Sequence, residues 1–556
     1  MHKKLRLVTD LSLWRSWRKL SRQKFLRWGS LFGLMLIVSV ACSQPAAQDP
    51  DPIVSSGNRL TIGTTSKART LDPADAYEVF AGNLLYNLGE GLYRYEIGTD
   101  ELQPQLATAM PTISDDRLTY RIPLREGVFF HDGTPFNAEA MAFSLRRFME
   151  NGGPPSFLLT DIVESIEPTG EYELTIRLQR PFAGFSDLLA FSGLAAVSPE
   201  AYEIGAGAFS PSTFVGTGPY QLTRYDGGDT VRLDTFEDYW GSPAVNEGID
   251  IQVYSSSANL YNAFRTGAID VATQSLEPDQ LQALERAAEN GDWQSLTGPG
   301  NVVSYLSLNV QDEHLSKPQV RQALAAMIDR NVLRDRVFQQ QAEPLYSLIP
   351  TIFEVSQPVF EQNRPNQAEI EALLTEAGYS PDNPVPLTLW YRSNVASNVL
   401  AATTLRAMIT RDYGNWVQFN LDSVESATAY QNLDKGIYPM FMLDWYGDFY
   451  DPDNYIHPFI ACEQGSVEAG CERGASHSQG SFYYSDRANQ LVEQSRQETD
   501  PARRQEVFAQ IQTLIAEDVP FIPLWQNNAS VFAQGSVEGV QLQPTQQFPF
   551  WTLSKS

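Results

Sequence analysis

The sequence predicts an α/β fold divided into several domains, and three observations lead there. Between residues 300 and 440, runs with a strand period of two alternate with runs at helical spacing, as in an α/β lobe. The 556 residues are 42% apolar and 11% aromatic, enough for a large core and, by length, for about two to four domains. The apolar run Met440-Phe441-Met442-Leu443 reads as a buried strand, and Gly447 and Pro452 turn the stretch after it, Asp444 to Asn454, into a loop. That loop carries four carboxylates and four aromatic rings. Such a set suits a ligand with a cationic end and an apolar body, because desolvated carboxylate and ring faces both attract ammonium. An acidic surface loop with aromatics tucked beneath it is the plainer reading.

The formal net charge is −27, carried on a globular composition, so a nucleic-acid partner is not expected: phosphate is repelled. Residues 1–41 differ from the rest. They hold nine Lys and Arg and one acid, and without them the charge is −35. The apolar stretch Leu31 to Ala41 is too short to span a membrane comfortably and fits the core of an export signal. With Val40 and Ala41 before Cys42, the junction resembles the lipobox of bacterial lipoproteins, which implies lipidation of Cys42; Ser39, where Leu is usual, departs from it. An ordinary cleaved secretory signal is the alternative. Residues 42–54, polar and rich in Pro, suit a tether. No later segment is apolar for long enough to cross a bilayer, so the expectation is an exported body, anchored by lipid and facing the periplasm or exterior.

Only Cys462 and Cys471 remain. An oxidising compartment favours joining them, in a short loop worth roughly 2–3 kcal/mol by chain entropy. A metal pair with His457 or His477 is the alternative, weakened by the lack of a nearby CxxC.

In chain order, Arg59 to Thr64 reads as a first strand and Val79 to Leu88 as a helix closed by Gly89. Leu118 to Leu124 is a strand, Glu126-Gly127 a turn, Val128 to Phe130 a second short strand, and Asp132-Gly133 a tight turn. A helix follows with Asn137 as N-cap, Met141, Leu145, Phe148 and Met149 on one face, and a stop at Gly152-Gly153. Gly267 ends a helix before Ile269, and Ser316 caps one whose core stripe is Val320, Leu324, Met327 and Ile328.

The run from Leu102 through Leu118-Thr119-Tyr120-Arg121-Ile122-Pro123-Leu124-Arg125-Glu126-Gly127 to Phe136-Asn137-Ala138-Glu139 resembles the signature of the peptide/nickel class of extracellular solute-binding proteins of ABC importers. Gly216-Thr217-Gly218-Pro219-Tyr220 with Asp238-Tyr239-Trp240-Gly241, Ala263 to Asp270, Val320 to Arg330, Ala372 to Tyr379 and Val519 to Leu524 resemble its later landmarks in register. The resemblance implies a two-lobed periplasmic-binding-protein fold of type II with an extra domain inserted in the first lobe. It places lobe I at 55–92, 207–311 and 524–556, the inserted domain at 93–206 and lobe II at 312–523.

In dipeptide-binding relatives, a Trp, an Asp three residues later and then Asp-Pro-Asp-Asn line the cleft, and the first Asp pairs with the peptide's α-amino group. The matching residues are Trp445, Asp448 and Asp451-Pro452-Asp453-Asn454. The resemblance thus implies Asp448 as ammonium anchor and Trp445 as a wall, with Tyr446 and Gly447 between them in the ligand loop. Asp451 to Asn454 is also good turn chemistry and is expected mainly to shape the loop. Arg392, at a strand end, is a candidate for the ligand carboxylate, and a solvated charge is its plainer reading. The partners implied are a short peptide or similar solute and a membrane permease; the chain is expected to act as a monomer, without cofactor or metal.

Two rival classes compete. A carboxylate-based hydrolase such as a glycosidase needs only paired acids, which are abundant here, but no GxSxG, HExxH, Walker or dinucleotide motif is present. A solute sensor on the same fold is the other. Within transport, an oligosaccharide, an opine or a metal chelate competes with peptide.

Overall fold

The computed structural model describes residues 57–556 apart from 274, 363 and 364. The expected signal segment, Cys42 and the whole tether lie outside the described residues. The backbone is organised on one mixed sheet of eleven strands: β1 (Arg59–Thr64), β2 (Tyr220–Tyr225), β3 (Thr230–Thr235), β4 (Gly248–Val253), β5 (Val271–Thr273), β6 (Trp293–Leu308), β7 (Ala342–Pro344), β8 (Val385–Arg392), β9 (Val417–Val424), β10 (Met440–Trp445) and β11 (Phe521–Gln534). Their order is β9-β8-β10-β6-β11-β5-β1-β4-β3-β2, with β7 on β11.

Two long antiparallel strands make this a two-lobed molecule. The first half of β6 pairs with the last half of β11, from Trp293↔Gln534 to Pro299↔Asn528, on the side of β5 and β1. After a register break between Pro299 and Val303, the second half of β6 pairs with the start of β11 and also with β10, on the side of β8 and β9. Gly300 sits in that break because a Cβ there lies 2.4 Å from both the Asn527 carbonyl oxygen and Gln546 Nε2. Separate apolar clusters lie on either side of the break, one around Leu60, Ile62 and Ile251, the other around Leu306, Leu389 and Met442. A separate four-stranded antiparallel sheet (Thr112–Ile113, Thr119–Pro123, Glu173–Leu178, Val163–Gly170) packs on the helix Ala138–Glu150.

The first strand and the helix Val79–Leu88 occupy the expected residues. Asn137 caps its helix, its side chain accepting from the Ala140 N–H at 3.0 Å. Gly267, at φ +72°, follows the end of the helix Ser257–Arg265. Two expectations fail. Val128 to Phe130 makes only a single bridge, Phe129↔Pro135, because Asp132-Gly133 turns the chain back too soon for a ladder. Ser316 does not cap the helix Pro318–Met327; Lys317 holds that position with no side-chain bond, because proline at the first helical residue forces the residue before it to be extended.

The sulfurs of Cys462 and Cys471 are bonded at 2.07 Å, closing the short hairpin Gln464–Ser466/Gly470–Arg473, so these cysteines are not free metal ligands. Among the described residues, no helix is long and apolar enough to cross a membrane.

Candidate functional site

Strand β10 buries Met440 to Leu443 and delivers the chain at Trp445 to the loop that carries the candidate anchor. Asn454 ties that loop into a ring. Its Oδ1 accepts from the Asp448 N–H at 2.8 Å and from Trp445 Nε1 at 3.3 Å, while its Nδ2 donates to Asp448 Oδ2 at 3.3 Å. Gly447 is required by this folding, since a Cβ there stands 2.4 Å from the Tyr455 hydroxyl. The loop closes with a 3-10 turn, Pro452–Tyr455, capped by Asp451 through the Asp453 N–H at 2.8 Å.

The half-buried Asp448 carboxylate also accepts from the Tyr77 hydroxyl, which comes from the opposite lobe, just before the helix Val79–Leu88. Burial pushes Asp448 up to about 6, with the Tyr77 and Asn454 hydrogen bonds pulling the other way. No ion pair joins it to a cation among the described residues. A carboxylate so held is ionised at neutral pH yet costly to keep charged, which is the state from which a cationic group gains most.

The loop is locked from behind. Arg504 grips Asp451 with two bonds, 2.6 and 2.8 Å, and Arg496 approaches Asp453 at 3.3 Å. Residues from the first part of the chain press on it from the other side: Phe182 lies edge-on to Phe449 at 6.0 Å and Tyr95 to Tyr450 at 5.5 Å, and the Tyr95 hydroxyl donates to Asp187 at 2.7 Å. Asp187 is raised, first by burial and then by the neighbouring Asp451, and Asp453 is pushed up to about 6 by burial. The expectation that Asp451 to Asn454 shapes the loop agrees with these bonds.

Two cavities adjoin this loop. A small one of about 30 Å3 is lined by Asp448, Gly447, Tyr95, Asp187 and Asn301, among others. A large one of about 800 Å3 runs from Thr65, Lys67 and Glu78 on one lobe to Ser397 and Tyr446 on the other, with Asn527 to Val531 of β11 along it. Gln547 lines both. A third cavity of about 630 Å3, beside Ala325, Leu373 and Glu517, touches none of the expected site residues.

The structure therefore divides the four loop residues. Asp448 and Gly447 face the small cavity and Tyr446, half exposed, faces the large one. Trp445 lines neither: it packs edge-on against Phe459 at 5.5 Å and braces the loop through Asn454. The sequence holds the signal for this, since Phe441, Leu443 and Trp445 share one face of β10 and the first two join the same core. Arg392 is neither solvated nor available. It is buried, ion-paired with Asp444, and bonded to Asn398 at 3.0 Å and Tyr430 at 2.9 Å.

The four described histidines make structural contacts. His131 Nε2 meets the Gly218 carbonyl at 3.1 Å and its Nδ1 accepts from the Gly216 N–H at 3.3 Å; burial pushes it down to about 4. His314 meets the Tyr379 hydroxyl at 2.8 Å, His457 is driven well below its usual range by burial, and His477 packs against Phe482.

Residues 101–466 match the model of the bacterial extracellular solute-binding proteins, family 5 Middle. The chain is 27% identical over 521 residues to the glutathione-binding protein GsiB of Escherichia coli O1:K1 / APEC, covering 89% of this chain and 94% of that protein. Its fold is similar to that of the periplasmic binding protein DppA of Helicobacter pylori in complex with the peptide STSA (TM-score 0.73, 22% identity, 89% of this chain and 98% of that one). It is also similar to that of OppA of Haemophilus influenzae in complex with RPPGFSPFR (TM-score 0.73, 20% identity, 90% and 99%).

Proposed function

The chain belongs to the bacterial extracellular solute-binding proteins of family 5, the peptide/nickel class that serves ABC importers, and we propose that its own cargo is a short peptide held by its amino terminus at Asp448. The observation that carries this reading is a carboxylate between two lobes that is half-buried, raised to about 6 and unpaired with any cation among the described residues. An α-ammonium group replaces the Tyr77 hydroxyl as its partner with a full charge, and charge-assisted bonds are about twice as strong as neutral ones. The peptides in two similar structures, STSA and RPPGFSPFR, and the tripeptide glutathione in the name of the curated relative support the ligand class.

Tyr446 and Gly447 form the rest of the ligand loop in this reading, and Trp445 acts by bracing it. Lobe I comprises about 55–92, 207–311 and 524–556, the inserted domain 93–206 and lobe II 312–523; the self-contained four-stranded sheet within the middle segment supports that division. Closure of the lobes on ligand buries Asp448, and the compact form is the one offered to the permease. Cys42 carries the lipid anchor. Mass spectrometry of the membrane-extracted protein should find a chain beginning at an acylated Cys42; an unacylated chain beginning elsewhere refutes the anchor and leaves the binding reading intact.

The pH dependence tests the grip. An ammonium partner needs the ionised carboxylate, which is fully present above about pH 7 and is lost as pH falls through about 6. Affinity for a peptide with a free amine should be flat above neutrality and fall by about tenfold per pH unit below 6. Calorimetry from pH 8 to pH 5 reads this. A flat profile removes Asp448 from its role.

A further inference from the structure

The large cavity differs from the small one in the chemistry of its wall. Among the described residues, seven Asn and Gln side chains line it, against one cation, Lys67, and two carboxylates, Glu78 and Glu277. Lys67 is more than half exposed and already ion-paired with Asp229. Arg392 stands behind Tyr446 but is held by Asp444 and is not part of the wall.

Five polar atoms of this wall are buried without a hydrogen-bond partner among the described residues: Glu78 Oε2, Gln341 Oε1, Asn527 Oδ1, Gln543 Nε2 and Gln546 Nε2. Two of the amides have their orientation fixed from outside. Gln543, 5% exposed, accepts the Gly98 N–H on Oε1 at 2.9 Å, which leaves Nε2 as an unused donor. Gln341 donates from Nε2 to Glu285 at 2.6 Å, which leaves Oε1 as an unused acceptor. Buried donors and acceptors are normally paired, so a wall with both kinds unspent is built for a partner that offers both.

We propose that this cavity is a neutral hydrogen-bonding subsite that takes the uncharged amide groups of a peptide and rejects a terminal carboxylate, so that C-terminally amidated or longer peptides are preferred to short free acids. The proposal rests on the peptide reading above and adds the selectivity to it. A peptide group presents one N–H and one C=O, the complement of Gln341 Oε1 and Gln543 Nε2. A carboxylate offers only acceptors and meets Glu277 and Glu78, whose Oε1 Arg69 already engages at 3.0 Å, with no unpaired cation on the wall among the described residues, and a charge buried without a partner is strongly disfavoured. Gln547 lines both cavities, so in this proposal a chain anchored at Asp448 and rising about 3.3–3.6 Å per residue is directed toward the large cavity, where the carboxylate of a tripeptide would have to be accommodated.

The test is calorimetry of the intact protein at pH 8 with Ala-Ala-Ala, Ala-Ala-Ala-amide and reduced glutathione, which carries two carboxylates. The amide is expected to bind at least tenfold more tightly than the free acid, and glutathione most weakly of the three. Equal or tighter binding of the free acid overturns the subsite while leaving the peptide reading in place; failure of both tripeptides to bind overturns both. Gln546→Lys places an ammonium group on the same wall and should shift the acid-to-amide affinity ratio about tenfold toward the acid. An unchanged ratio in a variant that melts like the parent counts against the proposal, and the comparison on the parent protein stands whether or not the variant folds.

Discussion

Asp448→Ala is expected to weaken the binding of free-amine peptides by roughly 3–5 kcal/mol, about two to three and a half decades, because it strands the ligand's ammonium inside a closed cleft. The same substitution should leave N-acetylated peptides unaffected, since they bring no charge to be stranded. Asp448→Asn separates charge from shape. It keeps a group that Tyr77 and Asn454 can bond, yet should lose nearly as much affinity. Calorimetry with an acetylated and a free peptide on the three proteins reads both, and equal losses for the two ligands would falsify the anchor.

Stability should move in the opposite direction. Asp448 is raised to about 6 in the folded protein, above the unfolded value of about 4, so its ionised form is a cost to folding above pH 6 that protonation relieves as pH falls. Asp448→Asn removes that cost. The unliganded variant should melt higher than the parent at pH 8, with the difference narrowing as pH is lowered toward 4. A residue that costs stability when empty and gives affinity when filled is a binding group; a loop residue present for structure loses stability on replacement.

The ease with which this loop was read from sequence has a physical source. A buried apolar strand, a glycine and a proline that end it, and alternating acids and rings are local signals, and they locate a loop there without tertiary information; the strand, however, runs on through Asp444 and Trp445, which pair with Ser304 and Val303, so the loop begins at Tyr446, and Asp451, Asp453 and Asn454 at its far end are buried. The helices at Val79–Leu88 and after Asn137 were legible for the same reason, through period and caps. What was not legible depends on distance along the chain. Tyr77 lies 371 residues before the carboxylate it bonds, and nothing in its neighbourhood marks it. The amides of the large cavity come from positions 341, 527, 543 and 546, with no shared period, and meet only because β6 and β11 cross from lobe to lobe there. Single Gln and Asn residues in ordinary contexts carry no signal that separates them from solvated surface. Trp445 is a different case: the family pattern implies a cleft wall, while the period of β10 turns its ring toward Phe459.

Arg504→Met is expected to cost roughly 3–5 kcal/mol of unfolding free energy, because it removes the cation that, among the described residues, pairs with Asp451 and leaves that carboxylate buried beside Asp187. Asp453 keeps Arg496, so the loss is local to the back of the loop. The defect should be largest at pH 8 and shrink toward pH 5, as Asp187, raised by burial and by Asp451, gains a proton and the repulsion between the two carboxyls is relieved. Adding Asp451→Asn removes the charge that Arg504 neutralises, and the double variant should be more stable than Arg504→Met alone, a coupling that urea unfolding at pH 8 measures directly. Peptide affinity belongs in the same experiment. Asp451 starts the 3-10 turn whose last residues include Asn454, and Asn454 holds Asp448 on both its N–H and its carboxylate. Loosening the turn should therefore weaken free-amine peptides by about tenfold or more even in the fraction that remains folded, while wild-type affinity in a destabilised Arg504→Met protein breaks the link from the turn to the anchor.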